Sequence, residues 1–149
     1  MSQDGIDLTT SLGYLLKEAS SSLRAAMEAV LRPLGMTVTH YSCLELLAQR
    51  PGLSNSELAR GAFVTRQSMN VLLQTLEREG DVVRPAEARV GKVLQTQLTP
   101  HGRQRLEAAT VAIRGVELRM LAGTTAEQRA DAARILRGMI RSLRDGGSS

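Results

Sequence analysis

Aromatic side chains are scarce in this chain. They make up 2% of 149 residues and comprise Tyr14, Tyr41 and Phe63. A protein that holds single-stranded nucleic acid by stacking bases on aromatic platforms is therefore disfavoured. Cysteine occurs once, as Cys43. That excludes an intramolecular disulfide and a cysteine-rich zinc site. A lone thiol fits a reducing cytoplasm. Histidine occurs only as His40 and His101, too few beside one cysteine for the usual zinc ligand set. No metal and no cofactor are expected. No stretch of about 18 apolar residues exists, so no membrane span is expected. The start "MSQDGIDLTT" shows neither the basic nor the apolar region of a signal peptide, and the expected location is the cytoplasm. There is no Ser-His-Asp constellation in recognisable context, no phosphate-cradling glycine loop and no pair of carboxylates on one helix face that its context supports. An enzyme is not expected.

What is present is an ordinary globular composition, 42% hydrophobic. The length suits one domain, or a core shared across a dimer. The net charge is +4 with a pI near 10.0, which permits an anionic partner.

The first periodic segment is expected from about Leu8 to Leu31. Leu8, Leu12, Leu15, Leu16, Ala19, Leu23, Ala26, Met27 and Val30 recur at three- and four-residue steps. Pro33 and Gly35 stop it. Thr37 can cap a second helix that turns Tyr41, Leu44, Leu47 and Ala48 inward. Pro51 and Gly52 end that one. Ser54 and Glu57 stand in capping-box spacing at the start of a short third helix, which Gly61 breaks. Thr65 caps a fourth, "TRQSMNVLLQTLEREG", with Met69, Leu72, Leu73 and Leu76 on its apolar face and Gly80 at its end.

The period then changes. Val82 and Val83, and later Val93, Leu94, Thr96 and Leu98, read as two short strands. Between them, Pro85 to Gly91 forms a polar loop with Arg89 in it and Lys92 just after. Thr99 caps a fifth helix with Pro100 at its first position. Leu106, Ala109, Ile113, Val116 and Met120 mark its apolar side. Thr124 and Glu127 give another capping-box spacing for a last helix, with Ile135, Leu136, Met139, Ile140 and Leu143 expected to face inward. Residues 146–149 read as a frayed tail. The fold class is mainly α with a small β-hairpin. The terminal helices are more apolar than a small central unit could cover, so they are expected to pack on a second copy of the chain.

A short helix, a tight turn and a second amphipathic helix form a helix-turn-helix. Ala59 is small enough to let the two helices approach. The following hairpin, with a basic tip, makes it winged. On the outer face of the fourth helix stand Gln67, Asn70, Val71 and Gln74. Asn and Gln can pair bidentately with adenine, and an exposed Val suits the thymine methyl. An ordinary solvated face is the alternative, but a valine in its centre argues against mere solvation. Arg66 lies in the first helical turn, where a cation opposes the helix dipole, and a nearby phosphate or guanine would explain it. Ser54, Asn55 and Thr65 can reach phosphates from helix starts, besides capping. Ser68 is grouped with them. Arg89 and Lys92 can meet the backbone or the minor groove. The expected partner is double-stranded DNA.

The stretches "MTVTHYSCLELLAQRPGLSNSELAR", "VTRQSMNVLLQTLEREGDVVRP" and "GKVLQTQLTPHGRQRL" resemble the MarR family of bacterial transcriptional regulators. The resemblance spans nearly the whole chain and includes the "LT-x-x-G" after the hairpin. It implies a homodimeric winged helix-turn-helix regulator, with residues 1–36 and 100–145 forming the dimerisation region and 37–99 the DNA-binding region. It also implies a repressor or an activator, with repression the expected role, and a small-molecule effector, often an aromatic ligand or an oxidant. His40 and Tyr41 are similar to an element that borders an effector pocket in some relatives, and Tyr14 is placed with them. Two positions depart from the family pattern. Val90, Gly91 and Lys92 stand where an acidic residue and arginines are usual, and Val71 stands where an arginine is common. Two rivals remain: a winged-helix protein-interaction module without DNA binding, and a regulator that senses oxidation through Cys43. The apolar neighbours of Cys43 favour a core thiol.

Overall fold

The computed structural model describes residues 5–84 and 95–145. The order is α1 (Leu12–Leu31), one 3-10 turn (Arg32–Leu34), α2 (Val38–Gln49), α3 (Asn55–Gly61), α4 (Arg66–Arg78), β1 (Val82–Val83), β2 (Gln97–Leu98), α5 (Pro100–Met120) and α6 (Ala126–Asp145). The strands pair antiparallel, with Val82 opposite Leu98 and Val83 opposite Gln97. This is the expected mainly α fold with a small hairpin. The second strand is shorter than expected: Thr96 is buried but lies outside it. Val93, Leu94 and the polar loop fall outside the described residues. No described helix is long and apolar enough to cross a membrane.

Local side-chain chemistry sets the helix starts. Thr37 accepts from the His40 amide and Thr65 from the Ser68 amide. Ser54 and Glu57 make the reciprocal capping box at α3. The exposed Glu57 carboxyl is held below its usual range, chiefly by the Ser54 backbone amide.

Two expected starts are corrected. Helix α1 begins at Leu12, not Leu8, with Ser11 as its cap. Ahead of it the Thr9 amide and hydroxyl both donate to Asp7 Oδ1, at 2.9 and 2.6 Å. Such short-range side-chain bonds offer the backbone an alternative to helix. At α6 the capping box is Thr125 with Gln128, not Thr124 with Glu127. The Thr125 amide donates to Gln128 Oε1 at 2.9 Å, and the Gln128 amide returns a bond to Thr125 Oγ1 at 3.1 Å. The Thr124 hydroxyl instead donates to the Leu121 carbonyl, and so closes the preceding helix.

The chain divides into two compact units, Met1–Val116 and Glu117–Ser149. The core lies in the first. Leu31, Cys43, Leu44, Leu58, Met69, Leu73 and Leu76 are completely buried there, and Val82, Leu106 and Ala109 join them. Fully burying one such aliphatic side chain contributes roughly 1.5–3 kcal/mol. Also in this unit, α1 leaves Leu12, Leu15 and Leu16 exposed. In the second unit, Ile135, Leu136, Ile140 and Leu143 of α6 are exposed, and no residue of that helix is buried. The expectation that they face inward is corrected for the single chain. The helical period identifies an apolar side, not what covers it.

Candidate nucleic-acid interface

Helices α3 and α4 form the two arms of the helix-turn-helix. Leu58 and Ala59 of α3, and Met69, Leu73 and Leu76 of α4, are buried where they pack. Cys43 Sγ of α2 lies 3.8 Å from Met69 Sδ, beneath α4. Burial pushes the Cys43 thiol up to about 12. It therefore stays protonated at neutral pH, whereas oxidation needs an accessible thiolate.

With that side buried, α4 presents Gln67, Asn70, Val71 and Gln74 to solvent, together with Arg66, Ser68 and the cap Thr65. Val71 is 59% exposed. Ser54 and Asn55 are half-buried at the start of α3. The sequence thus names a set that the structure gathers on and beside one face. One link inside the set was not foreseen: Asn55 Nδ2 donates to Asn70 Oδ1 at 2.7 Å. Arg89 and Lys92 lie outside the described residues.

The base of the hairpin is clasped to α5. Gly80 takes a positive φ of 82°, ends α4 and turns the chain into β1. The Thr99 amide donates to the Asp81 carbonyl at 3.0 Å. The Thr99 hydroxyl faces the Gly80 and Asp81 carbonyls and accepts from the Gly102 amide at 3.0 Å. A Cβ on Gly102 would stand 2.0 Å from the Asp81 oxygen, so no side chain fits. This is the physical content of "LT-x-x-G".

Beneath the clasp lies a polar cluster that the sequence did not reveal. Asp81 is completely buried. Its Oδ2 accepts from Arg105 Nη1, and His40 Nε2 lies 3.0 Å away. Arg105 also donates to Glu79 Oε2 at 3.1 Å, and His101 Nε2 sits 3.7 Å from Asp81 Oδ1. Burial lowers the His40 pKa, more than its bond to Asp81 raises it. Ligand atoms of His40, Glu79 and Asp81 lie within 4.8 Å of one another, close enough to hold a metal ion. Both carboxylates, however, already bind the Arg105 guanidinium. Because Asp81 follows a turn glycine, it reads in sequence as an ordinary polar loop residue.

Of the three effector-pocket candidates, His40 belongs to this cluster and is buried. Tyr41 is half-buried against the core, and Tyr14 is exposed on α1. A groove of about 380 Å³ between the end of α5 and α6 is lined partly by Leu121, Ala132, Ala133 and Leu136. None of the three candidates lines it.

The turn between α3 and α4 holds a further residue outside the expected set. The Val64 amide donates to the Ala59 carbonyl at 3.0 Å, and the Phe63 amide to the Arg60 carbonyl at 3.3 Å. These are the two bonds of a Schellman motif, which usually has glycine where Phe63 stands. Phe63 has φ 60° and is 88% exposed. The left-handed region costs a residue with a Cβ roughly 1–2 kcal/mol. A large apolar residue between a helix-breaking Gly61 and the cap Thr65 was the available signal.

A family model described as "MarR family" matches residues 34–92. The HTH-type transcriptional repressor Rv2887 of Mycobacterium tuberculosis is 44% identical over 125 residues, covering 84% of this chain and 90% of that one. The crystal structure of Rv2887 in complex with DNA superposes with a TM-score of 0.72 at 40% identity, covering 87% of this chain and 98% of that one. Its complex with salicylic acid gives a TM-score of 0.72 at 40% identity, covering 93% and 99%. A MarR family regulator from Silicibacter pomeroyi shares the fold at a TM-score of 0.84 and 23% identity, covering 96% and 97%. On its helix-turn-helix, its hairpin and these likenesses, the chain belongs to the MarR family of transcriptional regulators, not to a family of enzymes.

Proposed function

We propose that the protein is a homodimeric, cytoplasmic repressor that reads a pseudo-palindromic operator in double-stranded DNA. The observation that carries this reading is the outer face of α4. It sets the amides of Gln67, Asn70 and Gln74 around an exposed Val71, on a helix whose other side is locked in the core. Amides and a methyl-bearing side chain are what adenine–thymine pairs call for in the major groove. Thr65, Arg66, Ser68, Ser54 and Asn55 serve phosphates at the rim, and Arg89 and Lys92 the backbone or minor groove. The exposed leucines of α1 and the apolar side of α6 supply the surfaces for a second copy. Two-fold symmetry then sets the half-sites about one helical turn, or a multiple, apart.

A small aromatic acid is the proposed effector class, since Rv2887 has been crystallised with salicylic acid. Tyr14, His40 and Tyr41 remain the candidate lining. His40 Nε2 faces Asp81, which shifts more of that role to the tyrosines.

The test is a titration of the purified protein against its own upstream DNA and a scrambled duplex at several salt concentrations. Preference for the native duplex and a steep fall of affinity with salt are expected. Equal binding to both, or a flat salt response, overturns the reading. The double variant N70A/Q74A should lose the preference and keep the oligomeric state.

A further inference from the structure

We propose that Phe63 is itself a DNA-contacting residue, its ring packing on the apolar wall of the major groove beside the entry of α4. The apolar surface there is deoxyribose carbon or the thymine methyl. This inference rests on the DNA-reading function proposed above.

Three observations lead to it. Phe63, at 88%, is the most exposed of the large hydrophobic residues described, so the core does not account for it. The Schellman turn does not need it either, because glycine suits φ 60° best and the half-buried Val64 already packs against the core. A phenylalanine is thus held, against backbone preference and without packing, at one chosen place. Sparsely populated backbone conformations of this kind cluster at functional sites.

The place indicates the partner. In a helix-turn-helix the first helix crosses the DNA backbone and the start of the second meets the base edges. The turn between them therefore lies along the groove wall. On either side of Phe63 in sequence, Arg60 and Arg66 are exposed, and neither forms a salt bridge among the described residues. An apolar ring between two cations fits a surface that alternates sugar carbon and phosphate. It does not fit a second copy of the same turn, where like charges would meet. Phenylalanine against a thymine methyl is also an established form of base contact.

The experiment measures the affinity of wild type, F63A, F63L and F63G for the native upstream duplex at several salt concentrations, with the melting temperature of each. F63A should bind about five- to tenfold more weakly, the scale of one lost base contact. Its salt slope should be unchanged, since no phosphate contact is lost. F63L should recover most of the affinity. F63G should melt higher than wild type yet bind more weakly, which a merely structural residue would not do. A duplex with deoxyuridine in place of thymidine then locates the contact. If the F63A loss vanishes there, the ring meets a methyl; if it persists, the ring meets sugar. The inference is overturned if F63A binds as tightly as wild type, if its salt slope falls, or if affinity and melting temperature fall together in all three variants. Wild type without preference for its native duplex would overturn the DNA-reading function, and this inference with it.

Discussion

Asn55, in the first turn of α3, donates its side-chain amide to the side-chain oxygen of Asn70 in the middle of α4, across 2.7 Å. The bond joins the two arms of the helix-turn-helix on their outer side. It also orients the Asn70 amide, leaving its N–H₂ free of this bond and one lone pair of its oxygen open. That is the arrangement a bidentate contact with adenine requires. N70A should therefore weaken operator binding by about 1–3 kcal/mol, the value of one good bidentate pair. N55A should weaken it less, by releasing the rotamer. Anisotropy titrations of both variants and the double variant would show coupling between the two sites; simple additivity would mean the bond positions nothing.

Arg66 tests the electrostatic part separately. If it neutralises one phosphate per half-site, R66A should lower the slope of log affinity against log salt by about one per site. It should weaken native and scrambled duplexes alike. Loss of discrimination without a change of slope would instead place Arg66 on a base.

His40 makes stability depend on pH in a definite direction. Its folded pKa is lowered from the ordinary 6.5. The unfolded chain therefore binds the proton first as pH falls. Stability is full above about 6.5 and declines below it, towards the folded pKa. Urea unfolding between pH 7.5 and 5 should show that decline, with a shallower slope in H40Q.

Gly102 should tolerate no side chain. G102A places a Cβ against the Asp81 carbonyl, and a forced shift of backbone in a packed region costs about 1–3 kcal/mol. A clear drop in melting temperature is expected, with weaker DNA binding if the hairpin base is displaced. An unchanged melting temperature would mean that the clasp yields without cost.

Cys43 should be inert in the folded protein. It is completely buried with its thiol pushed up to about 12. Ellman's reagent should react slowly in buffer and quickly in urea, and peroxide should leave DNA binding unchanged. Fast native-state reaction would restore the oxidation-sensing rival.

How much was legible in the sequence depended on the range of the interaction. The caps at Thr37, Ser54 and Thr65 rest on bonds spanning three residues, and all three could be read directly. The box at α6 reads equally well one residue early in sequence because Thr124 and Thr125 are chemically equal. Only the prior use of Thr124 at the end of α5 separates them. The stripe on α4 was legible because one helix carries it. The Asp81 cluster was not, since its members come from α2, the C-cap of α4, the turn ahead of β1 and α5. Phe63 was missed for another reason. Its signal was a residue type at odds with its backbone, and the backbone angle cannot be read from composition or period.

The arginine shared by Glu79 and Asp81 has a mechanical consequence. Arg105 of α5 bonds both Glu79, the C-cap of α4, and Asp81, just ahead of β1, and the Thr99 hydroxyl faces the Gly80 and Asp81 carbonyls of the same turn. The end of α4 and the base of the hairpin are therefore tied to the same helix. A displacement of the first turns of α5 would move the end of α4 and the base of the hairpin together.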